Sequence, residues 1–257
     1  RLDSLHRGLK NYMDDKLCLA PLGDFKPKKI LELGCVASCR AIEAATLFPD
    51  ADVLATDISP LPDRPLPSNM KFMKMNILEP IPLEPASYDL IHARFTFVHL
   101  PDPLAALMRV VALLRPGGWL LIEDIAVNAD VVGDVPGTRA AYTALIKLWE
   151  NAGQEPRYAA RLADTLRAEG LFAQVDAHHV PLPIHPLSDD PKIRGLGATI
   201  RTSFQRSFTY EPSPALVEAG YTSSMHALRK EEMEGVDAEA RQWTYSVDMY
   251  IVSAQKA

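Results

Sequence analysis

The first half of the chain alternates two patterns. Short apolar runs closed by turn residues give way to stretches whose apolar positions recur every three or four residues, as strands and crossover helices do. Ile30-Leu31-Glu32-Leu33 reads as a buried strand that breaks at Gly34, after which Ala41, Ile42, Ala44, Ala45 and Leu47 mark a helix over residues 39–48. Asp52–Asp57 is a second strand, Met70–Met75 a third ending at Asn76 and Ile77, Ser87–Ala93 a fourth running into Arg94 and Phe95, and Trp119–Asp124 a fifth. Between the second and third strands, Pro60, Pro62, Pro65 and Pro67 exclude a regular helix. Asp102 as N-cap and Pro103 in the first turn open a helix with Leu104, Leu107, Val110, Val111 and Leu114 on one face. Arg115-Pro116-Gly117-Gly118 reads as its left-handed end. This order predicts an α/β fold, a Rossmann-like doubly wound parallel sheet with helices on both faces.

The flanks are looser. Leu2, Leu5, Leu9, Tyr12, Met13 and Leu17 predict an amphipathic helix, so residues 1–24 are expected to form a helical flap. Residues 138–152 and 157–169 read as helices, the second stopped by Gly170, and residues 172–184 and 242–254 as strands. Residues 186–240 carry turn signals and short helices only, and an insertion over 186–241 is expected to be a substrate lid on a single domain of residues 1–257.

Composition narrows the function classes. With 257 residues, 47% of them hydrophobic, one domain can bury a substantial core. No apolar run approaches the ~20 residues that cross a bilayer, and residues 1–20 are charged rather than signal-like, so a cytoplasmic protein away from membranes is expected. A net charge of −6 argues against a nucleic-acid surface. Cys18, Cys35 and Cys39 read as reduced thiols, and no metal site is expected. The Cys35/Cys39 pair lacks two further ligands, and His178, His179 and His185 lack carboxylate or thiol partners at useful spacing. Oligomeric state has no signal in the sequence.

In an open α/β sheet, ligands bind outside the carboxyl ends of the strands. The candidate positions are therefore Glu32–Ser38, Asp57-Ile58, Asn76-Ile77 and Ala93–Phe95. Asp57 lies 23 residues after Gly34, near the spacing of an acid that hydrogen-bonds ribose hydroxyls; a capping aspartate is the plainer alternative. His99, shortly after the fourth strand, is the histidine best placed by topology to act as a general base, with orientation of the next helix as its structural alternative. His6 and Tyr210 are weaker candidates, and His92, inside the strand, reads as a packing histidine. Phe204, Phe208, Tyr210, Tyr221, Met225 and Trp243 would line an apolar substrate chamber or simply fill the core.

Ile30–Gly34 with its helix, Asp57, Asn76, Tyr88–Phe95 and Leu114–Trp119 resemble successive motifs of class I S-adenosylmethionine-dependent methyltransferases. Asp89–Phe95, with Arg1-Leu2-Asp3 and His6, resembles the fungal small-molecule and LaeA-like branch. The resemblance implies a seven-stranded sheet with an antiparallel last strand, S-adenosyl-L-methionine as cofactor with S-adenosyl-L-homocysteine as product, and a small-molecule substrate of secondary metabolism. It implies that Glu32 orients the turn or the methionine amino group and that the Gly34–Ser38 loop, with Cys35, Val36 and Ser38, faces the methionine portion. Asp57 would grip the ribose, with Ile58 against adenine. Asn76 would accept from the adenine amino group, Ile77 would flank the ring, and Ala93 and Arg94 would offer backbone to the aminoacyl part. The family loop usually carries three alternating glycines; here Val36 and Ser38 follow Gly34 at the other two positions. Methyl transfer to oxygen or nitrogen is the leading expectation. The worn loop leaves two others open: a methyltransferase-like cyclase or rearrangement catalyst, and a non-catalytic LaeA-like regulatory partner.

Overall fold

The computed structural model describes residues 2–35, 39–128, 130–131, 133–183, 188–207, 210–234 and 246–257. Seven strands form one sheet: β1 (Lys29–Leu33), β2 (Asp52–Asp57), β3 (Met70–Lys74), β4 (Tyr88–Arg94), β5 (Leu114–Ala126), β6 (Phe172–Pro183) and β7 (Ser246–Lys256). Their order is β3-β2-β1-β4-β5-β7-β6, with β7 antiparallel to both neighbours and the β3-to-β5 pairs parallel. The doubly wound fold expected from the sequence is the one observed. The switch in strand order falls between β1 and β4, and in open α/β sheets ligands bind in the crevice at the carboxyl ends beside such a switch.

Helices α1 (Leu2–Tyr12) and α2 (Cys39–Leu47) cover one face of the sheet, and α3 (Pro103–Val111) and α5 (Tyr158–Ala168) cover the other. The alternation of β1 decides which residues go where. Leu31 and Leu33 join Ile91, Ala93, Leu120 and Ile122 in the core under α3 and α5, while Ile30 joins Leu90, Trp119 and Leu121 under α2. At the amino ends, Asp89 accepts the Lys28 N–H at 2.5 Å and the Lys29 N–H at 2.8 Å, which pins β1 to β4 in register.

Three elements differ from the sequence reading. The helix begun at Pro103 stops at Val111, and residues 114–118 belong to β5. Tyr88 pairs with Leu114 and Leu90 with Trp119, so β5 bulges between them, and Gly117, at φ +74°, is that bulge rather than a helix cap. Helix α1 ends before Leu17, because Asp14 and Asp15 turn the chain in left-handed conformations. The region read as short helices holds a 17-residue helix, α6 (Pro191–Ser207), whose apolar spacing is interrupted in sequence by Gly195 and Gly197. Residues 184 and 242–245 of the expected strands lie outside the described residues. Among the described residues no helix is long and apolar enough to cross a membrane.

Helix α4 (Pro136–Asn151) meets α8 (Ser223–Glu234), with α7 (Pro214–Glu218) alongside. The Glu232 carboxylate of α8 caps α4, accepting the N–H groups of Gly137 at 2.8 Å and Thr138 at 2.6 Å. A Cβ on Gly137 would stand 2.5 Å from the Arg229 backbone nitrogen, so glycine sets the helix separation. Gly137→Ala is expected to lower stability by about 1–3 kcal/mol, read as a reduced midpoint in urea unfolding.

Candidate functional site

The site is built on the turn after β1. Gly34 has φ +63°, and a Cβ there would lie 2.2 Å from the Thr96 hydroxyl oxygen. That hydroxyl donates to the Arg94 carbonyl at 3.1 Å and sits 3.4 Å from the Leu33 carbonyl, so the end of β4 closes directly onto the turn. The Cys35 N–H donates to the Thr56 carbonyl at 3.2 Å, which ties the turn to β2 on its other side. Burial, followed by the charges of Asp57 and Glu32, pushes the Cys35 thiol up to about 12, so it is no nucleophile. Val36 and Ser38 lie outside the described residues, as do His185, Phe208 and Trp243.

Asp57 ends β2 and is buried; its Oδ1 accepts the Ser59 N–H at 2.9 Å, and its carbonyl accepts the Met75 N–H, bringing the end of β3 alongside. Ile58 follows with its side chain 65% exposed, a large apolar group turned to solvent beside the crevice. Asn76 forms a local turn, its Oδ1 accepting the Leu78 N–H at 3.0 Å and its amide donating to Glu79 at 3.1 Å. Ile77, expected to flank a ring, is buried in the core, and its carbonyl accepts from Arg109. The next residue, Leu78, is the one exposed.

On the α1/α2 face, the carboxyl ends of β1, β4 and β5 carry a cluster of buried charge. His92 Nδ1 donates to Glu32 at 2.8 Å, and its Nε2 lies 3.5 Å from Glu123. Arg94 Nε bonds the other oxygen of Glu123, and its Nη1 donates to His6 Nδ1 at 3.1 Å. His6 Nε2 and Lys10 on α1 in turn reach Glu43 on α2, at 3.2 and 3.1 Å. Arg40, on the first turn of α2, has Nη1 3.7 Å from Glu32. Burial pushes the Glu32 and Glu123 carboxyls up, but the surrounding charges of His92, Arg94 and Arg40 outweigh it, and both are held below the usual carboxylate range. Glu43, opposed by burial but bonded to His6 and Lys10, is brought to about 2. His92 is therefore a bridge between two acids, not simply a packing residue. Ala93, beside it in β4, is fully buried.

Past β4, the 3-10 turn Phe97–His99 is held by Asp124. The Val98 N–H donates to Asp124 Oδ2 at 3.1 Å, the Tyr158 hydroxyl to the same oxygen at 2.5 Å, and the Ile125 N–H to Oδ1 at 3.0 Å. Desolvation dominates and raises the Asp124 carboxyl to about 6. His99 stands on the outer side of this turn, exposed toward solvent but with its ring edge-on to Trp149 at 5.6 Å. Its partial desolvation lowers its pKa from the usual 6.5, favouring the neutral, proton-accepting form. His6 is engaged in the charge cluster, and Tyr210 is 77% exposed. The sequence reading missed Arg40, Glu123 and Asp124. A pair of acids closing an otherwise apolar strand was the available signal for the last two.

The methyltransferase-domain family matches residues 5–173 of the chain. Along its whole length the chain is 39% identical to the methyltransferase str3 of Strobilurus tenacellus, covering 92% of that protein. The chain belongs to the methyltransferase-domain family. This methyltransferase is also 28% identical to the secondary metabolism regulator laeA of Monascus pilosus, over 74% of the chain and 53% of that protein. Its fold is shared with phosphoethanolamine N-methyltransferase 2 of Haemonchus contortus, solved with S-adenosyl-L-methionine, at a TM-score of 0.57 and 14% identity over 99% of the chain and 52% of that one. The cofactor of the methyltransferase is S-adenosyl-L-methionine. The residues present fit such a group: a glycine turn that admits no Cβ, a buried strand-end acid, an exposed isoleucine beside it and a buried guanidinium with open donors.

Asp124 gives the methyltransferase a stability term with a defined sign. Because its folded pKa lies above the usual 3.8, the protonated form's contribution is complete below 3.8 and is lost as pH rises through about 6. At ~1.4 kcal/mol per pH unit, the change is on the order of 3 kcal/mol. Asp124→Asn should therefore remove a fall in stability between pH 4 and 7 that urea titrations of the parent protein display, after the carboxylates common to both proteins cancel.

Proposed function

We propose that the methyltransferase transfers a methyl group to oxygen or nitrogen of a small, fairly apolar metabolite of secondary metabolism. The observation that carries this is the convergence of three strand ends: the turn after Gly34 bonds to β2 through the Cys35 N–H, and β2 closes at Asp57 against Met75. The 39% identity with a fungal methyltransferase along the whole chain supports the same reading. The bound cofactor supplies an electrophilic methyl on a sulfonium, so the protein's task is alignment and exclusion of water.

Asp57 accepts hydrogen bonds from the ribose hydroxyls, and the exposed Ile58 covers one side of adenine. Asn76 borders the adenine edge, with Leu78, rather than Ile77, available as its apolar neighbour. Glu32 and the Gly34–Ser38 loop receive the methionine end, beside the backbone of Ala93 and Arg94. His99, neutral at physiological pH, accepts the proton of the substrate's nucleophile. Helix α1 and the 186–241 region close over the crevice.

Isothermal titration with S-adenosyl-L-methionine and S-adenosyl-L-homocysteine tests the cofactor site. Both should bind, and Asp57→Asn should weaken them about 10–100-fold while leaving the melting temperature nearly unchanged. Well-folded protein that gives no heat with either would contradict the assignment, and substrate turnover persisting after cofactor removal would support cyclisation instead. For His99, the acid limb of the kcat–pH profile should lie below pH 6.5 and should disappear in His99→Gln, with cofactor affinity unchanged.

A further inference from the structure

The turn that carries His99 has two sides, and Asp124 holds the inner one through the Val98 N–H. The outer side rests on the connection between α4 and α5. Pro101 makes an isolated antiparallel bridge with Gln154, and the Asp102 N–H donates to the Gly153 carbonyl at 3.3 Å. The side chain of Gln154 completes the contact, its Nε2 donating to the His99 carbonyl at 2.8 Å. That connection takes its shape from the way α4 ends. Gly153 adopts the left-handed position at φ +73°; its N–H donates to the Glu150 carbonyl at 3.0 Å, and the Gln154 N–H to the Trp149 carbonyl at 2.9 Å. These are the paired bonds of a Schellman motif, and they fix Trp149 and Gln154 relative to each other. Both reach His99: the indole stands edge-on to the imidazole at 5.6 Å, and the amide holds the histidine's carbonyl.

At the position of Gln154 this motif commonly carries an apolar residue packed back onto the helix. The glutamine here uses only half of its amide. With Nε2 on the His99 carbonyl, Oε1 is buried and has no hydrogen-bond partner among the described residues. Turning the amide over would set two acceptors against each other, so the bond to His99 fixes its orientation. A buried acceptor left unpaired lowers stability, so the helix end by itself does not account for a glutamine; the hold on His99 does. We infer that Gln154 is a positioning residue for His99, seating its turn against the end of α4 so that the imidazole stays beside Trp149. This rests on the reading of His99 as the base and adds to it the residue that keeps the base in place.

The test is Gln154→Leu, which supplies the apolar residue the motif favours and removes the bond to His99. NMR of histidine-labelled protein, with His99 assigned by its loss in His99→Gln, reads the imidazole titration and the NOE between the His99 and Trp149 rings. In the parent protein desolvation keeps the titration below 6.5. In Gln154→Leu the NOE should disappear and the titration should move up toward 6.5, with the urea midpoint and the Kd for S-adenosyl-L-methionine nearly unchanged. The acid limb of the kcat–pH profile should move to higher pH with it, because only the neutral imidazole accepts a proton. A folded variant that keeps both the NOE and the parent titration overturns the inference, since Gln154 would then only end the helix. Absence of the NOE in the parent protein, a result that needs no variant to fold, overturns it too. A titration that moves while the acid limb stays in place overturns the base assignment instead, so the two failures are told apart.

Discussion

The constraint on which this structure depends is the burial of two carboxylates, Glu32 and Glu123, at the carboxyl ends of β1 and β5, each almost wholly removed from solvent. Isolated, each would cost several kcal/mol in lost hydration. Their charge is met from three directions: His92 stands between them on β4, Arg94 bonds Glu123, and Arg40 approaches Glu32 from α2. The arrangement works only with the parallel register of β1, β4 and β5, which sets Glu32 beside His92 and Arg94 beside Glu123. The sheet, α2 and the turn at Gly34 are therefore joined by one set of electrostatic contacts.

The same cluster reaches the N-terminal helix. Arg94 donates to His6, and His6 and Lys10 reach Glu43, so α1 is held over the strand ends by charge as well as by Leu9 and Met13. Helix α1 is therefore fixed beside the strand ends by ion pairs together with apolar contact. On the opposite side of β4, Asp124 does comparable work for the turn that carries His99. Polar groups buried at strand ends thus set the geometry on both sides of the crevice.

Much of this frame was legible in the sequence. Apolar runs ending at Gly34, Asp57 and Asn76 gave the parallel strands and the crevice, because burial on both faces leaves a strong period and a glycine or acid marks its end. What was not legible depended on partners distant in the chain. Arg40 looks like an ordinary helix residue until Glu32 is seen across from it, and His92 reads as packing until Glu123 arrives from β5. Ile77 and Leu78 differ by one residue in phase, and tertiary packing decides which of them is buried. Gly117 signals a helix end in sequence, and only the pairing of Tyr88 with Leu114 makes it a bulge. In α6, glycines obscure a helix that contact with α1 stabilises.

The most direct test of the charge cluster's role is hydrogen–deuterium exchange in Glu123→Gln, which keeps the side chain's shape and removes its charge. Loosening the hold on Arg94 and His6 should speed amide exchange in residues 2–12 and at the turn around Gly34 at least ~10-fold, while the β6–β7 pair keeps its protection. Unchanged exchange in residues 2–12, or an equal rise throughout the chain, would contradict the claim that this cluster ties the N-terminal helix to the carboxyl ends of the strands.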